Sequence, residues 1–219
     1  LSADFAILCM DNLGYSVTYG DTGAYVGWWS EMPFLMGAAW YYRDPRYAWT
    51  LEKKQAVSGR MSMGEYNCLA TVGAAASGAL QPPADLLGTK AWALDPYYYK
   101  TFGGPKVQSL EQSVDKVVFR NGFDPQDQYL LLDGLSNGGH KHLDGNSISR
   151  WSEKGRIWIA DADYILSLPK YHNGVLIFRD GQSQQIPDFC EIEHNVDFSE
   201  FGATTTTFRN YAGVDWRRH

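Results

Sequence analysis

Hydrophobic and polar positions change their rhythm near the middle of the chain. Through the first eighty residues apolar side chains gather in long blocks with helical spacing. Residues 28–42 are rich in Trp, Met, Leu, Phe and Ala and stop at Arg43-Asp44-Pro45. Proline disfavours a helical conformation in the residue before it, so a helix should end there. A second helix is expected over 47–57, closed by Ser58-Gly59, and a third over 64–79. The third carries Gly73 and Gly78. Each costs about 1 kcal/mol relative to alanine unless another helix packs closely there. Gln81-Pro82-Pro83 breaks the pattern, and Asp95-Pro96 and Gly103-Gly104-Pro105 mark an irregular connector. The expected division is a helical part over 1–81, a connector over 82–112 and a strand-rich part over 113–219.

After the connector the period shortens. Apolar or alternating runs at 116–120, 128–132, 146–151, 156–160, 174–178 and 204–208 read as strands. Glu153-Lys154-Gly155 and Asp180-Gly181 lie between runs and supply the glycine that tight hairpins need at positive φ. Strands at such short spacing pair most economically as antiparallel sheet, so this half reads as part of a β-sandwich.

Composition narrows the function classes. With 219 residues, 44% of them hydrophobic and 20% charged, the chain has enough apolar surface to bury a sizeable core. Nineteen basic against 25 acidic residues leave a net charge of −6, with most of the excess acid after residue 110. Nucleic-acid backbones demand clustered cations, so they are excluded as partners. Cys9, Cys68 and Cys190 are far apart and form no zinc-knuckle or redox spacing, which leaves them as buried free thiols. The longest weakly polar stretch, 68–80, is too short to cross a hydrocarbon core of about 30 Å, so no membrane span is expected. The chain starts at Leu1 without a basic-then-apolar leader and reads as an internal piece of a longer protein.

The densest group of polar, chemistry-bearing residues is Gly138-Gly139-His140-Lys141-His142-Leu143-Asp144-Gly145-Asn146. On an extended chain His140, His142 and Asp144, spaced by two, share one face. Two imidazoles and an acid suit a divalent metal, since zinc takes nitrogen and carboxylate ligands at about 2.0–2.2 Å, and they equally suit proton transfer near neutral pH. Downstream, the run 157–160 ends in Asp161 and Asp163, and Tyr171-His172-Asn173-Gly174 opens the next apolar run. Strand ends of a hairpin-built sheet gather at one rim. Asp161 and His172 are therefore placed to join His142 as three metal ligands with an open position. The plainer alternative leaves both acids as solvated turn residues and His172 as a strand cap.

Taken in order, a His-x-His-x-Asp segment, a Gly155-Arg156 hairpin into an Asp-ended strand, and His172-Asn173 before another run resemble the β-sandwich domain of the heparinase II/III-like polysaccharide lyases. The run from Val114 to Gly181 and the tail 211–218 carry the resemblance, about half of the chain. It implies an α+β architecture: the end of an incomplete (α/α) toroid followed by an antiparallel β-sandwich, with a cleft between them. It further implies that His140 lies at the cleft and assists catalysis, while His142, Asp161 and His172 hold a zinc ion that is mainly structural. Asp161 stands one residue further from His142 than the family pattern, which an extra residue in the 152–155 turn accounts for. Asp163 is the alternative ligand. Asn12 and Tyr19, in the polar segment 11–21, and Asn137 and Lys141 are the substrate-contact candidates. The family's catalytic tyrosine and its carboxylate-neutralising residue come from earlier toroid helices and have no assigned counterpart in this chain. The resemblance also implies a periplasmic or extracellular setting.

The chemistry so implied is β-elimination on a uronic-acid glycan. It needs the carboxylate's developing charge stabilised, a base within reach of the adjacent proton, and a proton for the leaving oxygen. Hydrolysis would instead call for two carboxylates about 5–9.5 Å apart. Lys141, Arg150, Arg156, Lys170 and Arg179 are the cations available to a polyanion. Two alternatives remain: a zinc-containing sandwich that binds carbohydrate without cleaving it, and an unrelated metal-dependent hydrolase, which would require a further Glu and His at the metal.

Overall fold

A computed structural model describes residues 2–20, 32–58, 79–102, 108–136, 142–161 and 166–219. Four helices are seen there: α1 (Ser2–Leu8), α2 (Met32–Tyr42), α3 (Pro45–Ser58) and α4 (Pro96–Thr101). The strands are β1 (Gly88–Ala93), β2 (Ser113–Arg120), β3 (Tyr129–Asp133), β4 (Ile148–Glu153), β5 (Arg156–Ala160), β6 (Phe178–Arg179), β7 (Gln182–Ser183), β8 (Cys190–Asp197), β9 (Gly202–Tyr211) and β10 (Val214–Arg218). All but β6 and β7 belong to one curled antiparallel sheet in the order β10-β9-β8-β2-β3-β4-β5, with β1 on the same edge of β2 that β8 touches at its start. The protein is thus mostly β, with a helical layer on one side.

Strand register explains how one sheet serves two cores. Lys116 faces Asp133, Val118 faces Leu131 and Arg120 faces Tyr129 across β2 and β3, while Leu131 faces Arg150 across to β4. Side chains alternate along a strand, so these residues share one face. On that face Val118, Tyr129 and Leu131 pack with Leu8, Cys9 and Val17 from α1 and the loop after it. The opposite face turns Val117 and Leu132 toward Cys190, Phe208 and Tyr211. A third cluster joins α1, α2 and α3 through Ala6, Ile7, Leu35, Ala39 and Leu51, with Phe123 beyond β2 closing it.

Buried polar groups link α1 and the loop after it to the sheet. The Arg120 guanidinium, 2% exposed, donates to Asn12 Oδ1 at 2.6 Å and to the carbonyls of Ile7 and Met10. The Met10 carbonyl lies just past the end of a short helix, where no intrahelical donor reaches it. Asp11 Oδ1 accepts the amides of Leu13 and Tyr15, and Asp11 Oδ2 lies 3.7 Å from Arg150 Nε, both side chains fully buried. The loop 11–20 is therefore fastened to the sheet by two arginines at its start.

Several expected elements differ. The segment expected to be an irregular connector contains β1, which pairs with β2 along its whole length, and α4, whose N-cap Asp95 accepts from Tyr97 N. The helix expected from residue 28 begins at Met32 as described, residues 28–31 being outside the described set, as is nearly all of 64–79. Residues 174–177 are apolar but form no strand: Ile177 N donates to the Tyr211 hydroxyl, and only Phe178–Arg179 pairs, with Gln182–Ser183. β8 escaped detection because its outward residues are acids. Glu191 and Glu193 pair with Arg209, and Glu193 also with Arg217, so charge rather than apolarity lines that face. The turns at Lys154-Gly155 and Asp180-Gly181 do carry positive φ at both residues, as two-residue hairpins require.

Candidate metal centre

The end of β3, the approach to β4 and the end of β5 meet at one rim of the sheet. Residues 142–147 are a turn rather than the extended strand expected from His-x-His-x-Asp spacing. Leu143 and Asn146 take φ values of +59° and +57°, which breaks the alternation on which a shared strand face depends. A left-handed leucine costs about 1–2 kcal/mol, so the loop must be held by its surroundings. Those surroundings are visible. Leu143 N donates to Ser136 O, Gly145 N to Ser136 Oγ at 3.0 Å, and Ser147 N to Asp144 O. Asn146 Oδ1 accepts from Thr206 Oγ1 at 2.7 Å. A Cβ on Gly145 would collide with Ser136 Oγ and the Phe208 ring, so only glycine fits there.

This loop carries Asp144 to the rim, where one ligand atom each from Asp144, Asp161 and His172 lie within 4.8 Å of one another. Asp161 follows the last residue of β5, its amide still bonded to Ser149 O at 2.9 Å. His172 follows a short 3-10 turn, Pro169–Tyr171, and the Asn173 side chain ties that turn to Ile148 O and Ala160 O at the ends of β4 and β5. His172 Nδ1 sits 2.8 Å from Asp161 Oδ1. The His142 ring centroid is 6.3 Å from that of His172, with the rings edge to face.

The electrostatics fit a cation. Burial disfavours a charged His172, yet the hydrogen bond and charge of Asp161, with the charge of Asp144, outweigh it and raise its pKa above the ordinary imidazole value. Asp144 Oδ1 and His172 Nε2 are buried with no hydrogen-bond partner among the described residues. Two carboxylates and an imidazole, with His142 beside them, form a zinc-type donor set, and an oriented ring with a carboxylate on its other nitrogen is the usual supporting arrangement.

Next to the cluster lies a second charged group. Lys116, 2% exposed, contacts Asp115 at 2.6 Å and Asp133 at 3.0 Å. Burial opposes its charge, but the two carboxylates hold its pKa above the ordinary lysine value. Its ammonium also lies 4.3 Å from the Tyr19 ring centroid, and the following residue, Gly20, donates its amide to Asp144 Oδ2 at 2.7 Å. The signal for this pair in the sequence is a lysine and an aspartate at inward-facing positions of two apolar strands.

The expected site residues therefore divide. Asp161 and His172 come together, with Asp144 as a third member and His142 alongside. Tyr19 is half-buried near Lys116. Asn12 is fully buried and its side-chain oxygen is engaged by Arg120, a bolt between layers rather than a surface contact for substrate. Arg150, expected among the cations facing a polyanion, is likewise fully buried against Asp11. His140, Asn137, Lys141 and Asp163 lie outside the described residues. A trough of about 840 Å³, lined by Phe119, Leu130, Trp151, Phe198 and Phe201, opens on the sheet face opposite to the loop 11–20.

The fold so assembled is heparinase-like. A crystal structure of heparinase III matches it with a TM-score of 0.60 at 12% sequence identity, covering 99% of this chain and 31% of that one. The crystal structure of heparan sulfate lyase HepC from Pedobacter heparinus also matches, at 12% identity over 99% of this chain and 38% of that one, but with a TM-score of 0.39 it adds no argument. The chain spans about a third of the length of these neighbours. No family model matches the sequence, and no curated protein matches it. Among the described residues no helix is long and apolar enough to cross a membrane.

Proposed function

We propose that the protein is a polysaccharide lyase acting on uronic-acid-containing glycans by β-elimination. The observation that supports this most is the convergence of Asp144, Asp161 and His172 at the rim of a heparinase-like sheet, with His142 beside them. The segment bearing His140 leads directly into that loop.

In this reading the rim has two tasks. His142, Asp161 and His172 would hold zinc, which when bound supplies a fixed positive centre that keeps the loops folded together. His140 would stand at the glycan, hydrogen-bonded to it during proton transfer, with Asn137 and Lys141 contacting the acidic substrate. Elimination removes the proton next to the uronate carboxylate and expels the oxygen at C4, which takes a proton as it leaves. No water is consumed, and the new non-reducing end is a 4,5-unsaturated uronate. Exposed Arg156, Lys170 and Arg179 supply positive charge for a polyanion.

A second reading has one observation in its favour. Asn12, a candidate for contacting the uronate, is committed to Arg120, which is compatible with a zinc-containing sandwich that binds glycan without cleaving it. Incubation with heparan sulfate, hyaluronan and alginate, followed through the ultraviolet absorbance of the conjugated double bond, separates the two. The lyase reading expects that absorbance to grow, and expects His140→Ala to abolish it while bound zinc is retained. Glycan binding without any such product would support the second reading.

A further inference from the structure

The Asp144 carboxylate is used on one side only. Oδ2 accepts the Gly20 amide at 2.7 Å, whereas Oδ1 is buried and has no hydrogen-bond partner among the described residues. Asp144 is 1% exposed, so the second oxygen has no recourse to solvent. A buried carboxylate oxygen left in this state costs free energy unless something positive meets it. His172 Nε2, on a side chain 2% exposed, is the other such atom in the same cluster. The two orphaned atoms belong to residues whose ligand atoms already lie within 4.8 Å of each other and of Asp161.

Gly20 belongs to a loop that is fixed at its start. Asp11 and Asn12 are held by Arg150 and Arg120, so that end of the loop is anchored to the sheet. At residue 20, Asp144 accepts the backbone amide, across 124 positions of sequence. A cation bound at Asp144 would hold the carboxylate in place and hold the amide with it.

We propose that Asp144 is a ligand of the divalent cation as well as the clasp of Gly20, so that filling the metal site fastens the loop 11–20 to the sheet. This rests on the reading of the cluster as a cation site. It adds a residue to the expected ligands His142, Asp161 and His172, and it assigns the metal a role in joining the helical layer to the strands. The orientation of the carboxylate carries the inference: one oxygen serves the loop and the other is left for the ion.

The test is amide hydrogen exchange over residues 11–20 together with zinc titration calorimetry, on the 219-residue chain freed of metal by chelation. In the wild type, zinc should bind and slow exchange at Gly20 at least about tenfold. Asp144→Asn keeps an acceptor for Gly20 but loses the charge. It should stay folded by circular dichroism, bind zinc at least about tenfold more weakly, and show no zinc-dependent protection at residue 20. Zinc binding of equal strength in wild type and Asp144→Asn would overturn the ligand assignment while leaving the cation site standing. Binding to the wild type with no change at residues 11–20 would overturn the clasp. Failure of the wild type to bind zinc at all would remove the cation site and this proposal together. Should Asp144→Asn not fold, the wild-type exchange comparison still decides the coupling, and absence of protection there counts against it.

Discussion

His172 Nδ1 and Asp161 Oδ1 are 2.8 Å apart, and both side chains are about 2% exposed. They are eleven positions apart in sequence, and the turn that leads into His172 is held to the ends of β4 and β5 by the Asn173 amide. The carboxylate fixes which ring nitrogen it faces and leaves the other, Nε2, buried. A cation there would use a ring already oriented.

From this pair follows a prediction about stability. Zinc should raise the melting temperature of the wild type, because a ligand that binds only the folded state stabilises it by mass action. Asp161→Asn and His172→Ala should lose most of that increase. Differential scanning fluorimetry with zinc and with chelator checks this, and equal zinc-dependent shifts in the variants would reject both residues as contributors.

Arg120 supports a second prediction, independent of any metal. Burial lowers its pKa to about 10, partly countered by Tyr129 and Asp11, and its guanidinium bridges Asn12 and the carbonyls after α1. Arg120→Met fills much of the same volume but leaves Asn12 Oδ1 and the Met10 carbonyl buried without that donor. A loss of about 3 kcal/mol is expected, read from the shift of the urea unfolding midpoint. A change within experimental error would mean that α1 does not depend on this bolt.

The start of α3 gives a prediction in pH. Asp44 accepts the backbone amide of Arg46 and pairs with its guanidinium, and the side-chain hydrogen bond with Arg46, above all, lowers its pKa below 3.8. A depressed carboxylate stabilises the fold fully above its unfolded pKa, and that contribution is lost as pH falls through the folded value. Asp44→Ala should therefore cost about 1 kcal/mol at neutral pH, as loss of a helix cap does, and the gap to wild type should close below about pH 4. Unfolding curves at several pH values measure it. A gap that widened on acidification would contradict the assignment.

How far the sequence foretold this arrangement depends on which force acts at each position. β5 was legible to the residue because its apolar run is bounded by Lys154-Gly155 at one end and Asp161 at the other. β2 and β3 were legible from their apolar centres, although Lys116, Arg120 and Asp133 face inward among those apolar residues. β8 and β10 were hidden because their outer faces carry charges that pair across strands, a pattern that hydrophobicity does not register. At the site, the place of Asp161 followed from hairpin topology, since it directly follows β5, whereas His172 opens no strand and reaches the rim on a short turn that Asn173 ties to β4 and β5. The position of Asp144 followed from the left-handed Leu143, which no alternation rule anticipates. Asn12 misled because a polar cluster in a loop reads as surface, whereas two buried arginines from distant strands required acceptors there.

The proposed elimination, as opposed to hydrolysis or binding alone, is tested most directly by mass spectrometry of the products from a defined uronate oligosaccharide. Elimination predicts two fragments whose masses sum to that of the substrate, one of them carrying the unsaturated uronate. Fragments whose masses together exceed the substrate by one water, or an intact substrate recovered after binding, would contradict it.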